Sequence, residues 1–154
     1  MTVSTGRRIA DFRAPATNGK DIDSAALRGW NYVIYFYPKD DTPGCTLEGQ
    51  DFRDKYAQFK ATKTLVIGVS RDSLASHEKF RCKHELPFPL ISDPEEKLCR
   101  AFDVIRMKNM YGKQVMGVER STFLVDREGV LRREWRAVKV DGHVDEVLAA
   151  ARGL

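Results

Sequence analysis

The chain has 154 residues, of which 42% are hydrophobic and 31% charged, with a formal net charge of +4. These are the proportions of one globular domain spanning residues 1–154, and they exclude collagen-like, low-complexity and disordered classes. Residues 1–10 lack the apolar stretch of a signal peptide, and no run approaches the roughly 18 apolar residues of a membrane span, so a cytoplasmic protein without a membrane partner is expected.

Residues 11–20 contain Pro15 and the pair Asn18-Gly19, a turn signal that predicts an N-terminal β-hairpin. Asp23 to Gly29 reads as a short capped helical turn ended by glycine. Tyr32 to Tyr37 is β-branched and aromatic, as expected of a buried strand. A helix follows from Pro43 to about Phe59, with Phe52, Tyr56 and Phe59 at helical spacing. A strand at Thr64 to Ser70 and a helix from Leu74 to His84 complete a βαβα run. Leu90 to Ser92 is a third short strand, Pro94 to Phe102 a short helix, and Ser121 to Val125 pairs with Val130 to Trp135 across an Asp126-to-Gly129 turn. His143 to Ala151 closes the chain as a helix. The pattern is α/β: a central mixed sheet flanked by helices.

Arg106 to Lys113 interleaves cations with Tyr111 and is the best sequence candidate for nucleic-acid contact. Acidic residues are mixed through the other basic stretches, so the preferred reading here is an exposed loop and no nucleic-acid partner. Exposed aromatics are expected around Tyr37 and Tyr111, lining either a pocket mouth or a dimer contact.

The chemistry concentrates between Pro38 and Cys45, at the carboxyl end of a strand where α/β sites gather. Thr42 suits the N-cap, Pro43 the first helical position, Gly44 the second and Cys45 the third. Backbone N–H groups there lack intrahelical partners, and together with the positive end of the helix dipole they favour thiolate over thiol at Cys45. The three cysteines, Cys45, Cys82 and Cys99, form no CxxC pair and no zinc pattern, and their odd number argues against a purely structural disulfide framework. His77, His84 and His143 show no metal-ligand spacing, and no phosphate loop or dinucleotide fingerprint occurs. No metal and no cofactor are expected.

The motif Pro38-x-x-x-Thr42-x-x-Cys45 with Glu48, the run Phe88-Pro89-Leu90-Ile91-Ser92-Asp93, then Gly112-Lys113, Gly117 and Arg120 to Asp126 together resemble the peroxiredoxins. Within them the sequence resembles the bacterioferritin-comigratory-protein or Q-type branch. The resemblance implies a thioredoxin-like fold and a thiol-dependent peroxidase that reduces hydrogen peroxide and organic hydroperoxides. In it Cys45 is the peroxidatic cysteine and Pro38, Thr42 and Arg120 complete the pocket.

Residue chemistry suits those roles. A planar, permanently charged guanidinium at Arg120 can hold sulfur and peroxide together, Thr42 can donate and accept at once, and Pro38 covers the sulfur with carbon. Gly44 supplies a backbone N–H. Glu48 would position Arg120 or stand as a solvated helix carboxylate. Many Q-type relatives carry a second cysteine five residues after the first, where this chain has Gln50. Cys82 matches approximately another resolving position of the branch and is favoured, with Cys99 or an external thiol as alternatives. Thioredoxin or a similar dithiol is the implied reductant and a monomer the implied state. A thioredoxin-fold redox sensor that passes oxidation to a partner is the competing reading.

Overall fold

A computed structural model describes residues 2–154. The hairpin signal at Asn18-Gly19 produces β1 (Arg13–Pro15) and β2 (Asp21–Asp23), paired antiparallel. Both turn residues have φ of 66°, the left-handed conformation that asparagine and glycine tolerate best. Five strands form the main sheet: β3 (Asn31–Phe36), β4 (Thr64–Ser70), β5 (Leu90–Ser92), β8 (Ser121–Val125) and β9 (Leu131–Trp135). Their order is β5-β4-β3-β8-β9, parallel among β3, β4 and β5 and antiparallel from β3 to β8 to β9. The expected mixed sheet is therefore present.

The central strand β3 explains the two-sided core. Tyr32, Ile34 and Phe36 face one apolar cluster with Leu98, Phe102 and Phe123, while Val33, Tyr35 and Tyr37 face another with Phe52, Phe59 and Leu148. This alternation is the period-two geometry of a strand covered on both faces. The second cluster receives α1 (Pro43–Ala61) and α4 (His143–Arg152), and the first receives α3 (Lys97–Ala101). Helix α2 (Leu74–Lys83) begins at Ser73, whose Oγ accepts from the Ser76 N–H at 3.1 Å. Its Phe80 joins the Tyr37 side of the core. No helix among the described residues is long and apolar enough to cross a membrane.

Three expectations need correction. Pro94 lies in a turn, so α3 begins only at Lys97. Tyr37 is 1% exposed, because its ring packs beside Tyr35, His77 and Phe80 and its hydroxyl is bonded to Asp40. The segment read as a loop from Arg106 to Lys113 belongs to a hairpin of β6 (Ile105–Met110) and β7 (Lys113–Val118). Its two-residue turn, Tyr111-Gly112, has φ of 52° and 79°, the pair of positive values that a tight hairpin requires. Ile105 and Val118 bury the base of the hairpin, and Met107, Met116 and Tyr111 stand in solvent.

Gly68 in β4 marks the tightest approach in the core. A Cβ there would lie 2.8 Å from Leu90 Cδ2 and 3.0 Å from the Tyr35 ring. Gly68→Ala should therefore destabilise the protein by about 1–3 kcal/mol, the range for overpacking a filled core. A urea denaturation midpoint equal to that of the parent protein would contradict this packing.

Candidate active site

Sheet register creates the site. Pairing of Phe36 with Ser121 sets Arg120 beside the exit of β3, where the loop to Cys45 begins. Residues 75 positions apart thus meet: Arg120 Nη2 donates toward Cys45 Sγ at 3.4 Å. The same guanidinium donates from Nη1 to Glu48 Oε1 at 2.7 Å, so one planar fork spans a sulfur and a carboxylate. Cys45 is 2% exposed and Glu48 wholly buried.

Helix α1 starts where the residue types require. Thr42 occupies the N-cap position with extended backbone and Pro43 follows at the first turn. The first intrahelical bond runs from the Thr46 N–H to the Thr42 carbonyl at 2.8 Å, leaving the N–H groups of Gly44 and Cys45 ahead of it. Thr42 does not cap with its side chain. Its hydroxyl instead donates to the Lys39 carbonyl at 2.8 Å, within the loop. Pro38 is half-buried at the end of β3. Gly44 has a steric role: a Cβ there would sit 3.0 Å from Arg120 Nη2, pressing on the guanidinium.

Glu48 overturns its reading as a solvated helix carboxylate. Burial pushes its carboxyl up to about 7, against the opposing pull of Arg120. Among the described residues its Oε2 has no hydrogen-bond partner, nor has the buried hydroxyl of Tyr35. Desolvation outweighs the ion pair because only one of the two carboxylate oxygens is compensated.

Lys108 escaped the sequence reading of the site. From β6 it folds back so that Nζ donates to the Val118 carbonyl, and its stem passes over Gly117, where a Cβ would lie 3.1 Å from Lys108 Cδ. Burial first, and the Arg120 cation second, hold its ammonium below the usual lysine range, while Cys45 pulls the other way. Arg106 is likewise engaged, with Asp103 at 3.0 Å. The interleaved charge pattern was the visible signal, but the inward fold of Lys108 depends on the hairpin.

The other cysteines differ sharply. Cys99 is fully buried, its N–H donates to Asp93 Oδ2 at 2.8 Å, and burial together with Asp93 pushes its thiol up. Cys82 is exposed near the carboxyl end of α2. All three thiols are free, so Cys82 and Cys45 are not joined.

Among the histidines, His77 lies with Asp40 and Asp72, their ligand-type atoms within 4.8 Å of one another. Those atoms are already committed: Asp40 to Tyr37, Ser76 and His77, Asp72 to Ser70 and the Asp40 N–H, and His77 also to the Ile91 carbonyl. His84 bonds Asp41 at 3.2 Å, and His143 meets the Thr122 hydroxyl at 2.8 Å.

The raised Glu48 carboxyl fixes the sign of a pH effect. Between about pH 4.5 and 7 the folded protein holds a proton that the unfolded chain releases, so Glu48 costs increasing stability as pH rises through that window. Relative to Glu48→Gln, the parent protein should lose on the order of 3 kcal/mol across it. Denaturant titrations of both proteins check this, and parallel stability curves would refute it.

The sequence profile of the AhpC/TSA family matches residues 5–134. Peroxiredoxin Bcp of Bacillus subtilis is 47% identical over 154 residues, covering 100% of this chain and 98% of that protein. A solved structure of a cysteine-to-serine mutant of Xylella fastidiosa PrxQ superposes with a TM-score of 0.93 at 38% identity, over 99% of this chain and 98% of the other. A structure of the Xanthomonas campestris bacterioferritin comigratory protein, concerned with that protein's alkyl peroxide reduction activity, gives a TM-score of 0.88 at 51% identity, over 92% and 90% of the two chains. With its thioredoxin-like fold, this chain belongs to the AhpC/TSA family as a peroxiredoxin of the Bcp and Q-type branch, and it is a peroxidase.

Proposed function

We propose that Cys45 is the peroxidatic thiol and that Arg120, Thr42 and Pro38 form its pocket. The observation that carries this reading is the Arg120 guanidinium 3.4 Å from a buried sulfur in the first turn of α1. A guanidinium and the unpaired amide donors of the first helical turn surround that sulfur. The thiolate attacks the terminal oxygen of a hydroperoxide; an S–O bond forms, the O–O bond breaks and the departing oxygen leaves as water or an alcohol after taking up a proton. Arg120 then faces the charge that builds on both oxygens, and Thr42 bonds the peroxide hydroxyl. Hydrogen peroxide and organic hydroperoxides are both substrates of this chemistry, and the alkyl peroxide activity ascribed to the Xanthomonas campestris relative supports the second.

Resolution falls to Cys82. Its sulfur attacks the Cys45 sulfenic acid, an S–S bond forms and water leaves. Cys99 is unsuited, since burial keeps it a thiol. A disulfide needs Cα atoms within about 7 Å, and in this reading the first turn of α1 and the last turn of α2 loosen to bring the buried Cys45 and the exposed Cys82 together. Thioredoxin or a similar dithiol reduces the bridge, and no metal or cofactor takes part. The protein works as a single-domain cytoplasmic monomer, where its free thiols suit a reducing compartment. Nucleic acid is not a partner in this reading, in which Arg106 is paired with Asp103 and Lys108 turns its ammonium inward to the Val118 carbonyl.

With thioredoxin supplied, Cys45→Ser should abolish peroxide consumption and Cys99→Ser should leave it intact. Cys82→Ser should consume about one equivalent of peroxide per protein and then stall, the stoichiometry of a single unresolved sulfenic acid. Sustained thioredoxin-dependent turnover by Cys82→Ser would move resolution to an external thiol.

A further inference from the structure

The loop between β3 and α1 is braced from outside by a buried polar network that no step above uses. At its centre is Asp40, 7% exposed, whose carboxylate accepts from three groups: Tyr37 Oη at 2.7 Å on Oδ1, and Ser76 Oγ at 2.8 Å and His77 Nδ1 at 2.7 Å on Oδ2. His77 is wholly buried on α2, and its Nε2 lies 2.8 Å from the Ile91 carbonyl in β5. A carbonyl only accepts, so Nε2 donates, and one proton lies between Nδ1 and the Asp40 carboxylate. The imidazole thus bolts the middle of the loop to the sheet edge.

The same peptide group is held from its other side. The Asp40 N–H donates to Asp72 Oδ2 at 2.8 Å, and that oxygen also accepts from Ser70 Oγ at the end of β4. The carbonyl of this Lys39–Asp40 peptide is the acceptor for Thr42 Oγ1 at 2.8 Å. Peptide planarity makes the two bonds one constraint, since fixing the N–H direction fixes the opposed C=O. Thr42 is then left with its hydroxyl proton turned into the loop and its lone pairs turned outward, on a half-exposed side chain three residues before Cys45. A hydroperoxide presents an O–H donor that such lone pairs can accept.

We propose that Asp72 and His77 are positioning residues for peroxide reduction, acting through Asp40 and the Lys39–Asp40 peptide to aim the Thr42 hydroxyl oxygen at the substrate O–H. The inference rests on the reading of Thr42 as a substrate-facing group. It predicts a defect confined to peroxide. Alkylation of Cys45 by iodoacetamide requires only a nucleophilic sulfur, whereas in-line attack on a hydroperoxide also requires its orientation.

The test measures two second-order rates of Cys45, with hydrogen peroxide and with iodoacetamide, in the full-length protein, alongside the denaturation midpoint. Asparagine places an amide donor where Nδ1 stands and glutamine one where Nε2 stands. His77→Asn therefore keeps the bond to Asp40, and His77→Gln keeps only the bond to Ile91. Orientation losses suggest that His77→Gln and Asp72→Ala slow the peroxide reaction roughly 10- to 100-fold, with His77→Asn within about threefold of the parent and alkylation within about twofold in all three. Thr42→Val should show the same peroxide loss, and Thr42→Val combined with His77→Gln should add nothing to it. If alkylation and denaturation midpoint fall in step with the peroxide rate, or if His77→Asn fails as badly as His77→Gln, the network is only structural and the inference is overturned. A normal peroxide rate in His77→Gln and Asp72→Ala, with Thr42→Val impaired, rejects the network while leaving Thr42 in place. A normal rate in Thr42→Val removes the reading of Thr42 itself, and the inference with it.

Discussion

One guanidinium placed between two acceptors is the constraint from which the rest of the site follows. Arg120 reaches Cys45 with one nitrogen and Glu48 with another, in a setting where Glu48 is wholly buried and Cys45 nearly so. Full negative charge on both acceptors would leave an excess anion in a poorly hydrated space, a costly arrangement. Burial, against the pull of Arg120, moves the ionisation of the carboxyl up to about 7, and its second oxygen has no partner among the described residues. When Glu48 carries a proton, the field of Arg120 acts on the sulfur with less competition; when it is ionised, the cation is shared. Glu48 therefore anchors the guanidinium that faces the sulfur.

The fold supplies this arrangement by register rather than by local sequence. The β3–β8 pairing carries Arg120 to the mouth of β3, and the loop and first turn of α1 carry Cys45 to the same place. Gly44 leaves the opening through which the guanidinium passes. Behind it, Tyr35 and Phe52 stack at 4.6 Å and Phe88 meets both rings edge-on, so α1 rests on a packed aromatic floor. Lys108 closes another side from the β6–β7 hairpin. Separate stretches of chain thus meet at one sulfur, with Cys45 set by the first turn of α1 and Arg120 by its place immediately before β8.

Period and local chemistry made most elements readable. The apolar run from Tyr32 announces β3, the Thr-Pro-Gly-Cys sequence announces the start of α1, and Asn18-Gly19 announces β1 and β2, because each signal lies within a few residues of the structure that it specifies. The β6–β7 hairpin was not readable, since its strands mix cations with methionines and its turn is Tyr-Gly, where the aromatic adopts φ of 52° without a sequence preference for it. Tyr37 was misjudged because a hydroxyl at a strand end looks solvent-bound until Asp40 is seen beneath it. Glu48 lies four residues before Phe52, so the helical period itself turns it toward the buried face of α1, but that it meets Arg120, 72 residues away, does not follow from any period. The motif drew attention to both residues, but their contact belongs to the tertiary fold.

The loop before Cys45 is tied to α2 in two ways, and they differ in kind. Asp40 is bound deep in the protein to Ser76 and His77, near the start of the helix. Asp41 is bound at the surface to Lys83 and His84, at the helix end that carries Cys82, and the Lys83 and Asp41 side chains are 60% and 50% exposed. Breaking the first tie would leave a buried carboxylate uncompensated, whereas breaking the second returns solvated groups to water. The buried tie at Ser76 and His77 is therefore the costlier of the two to break and the surface tie beside Cys82 the cheaper. The fold thus sets a costly tie and a cheap one about a turn and a half of helix apart, with Cys82 beside the cheap one.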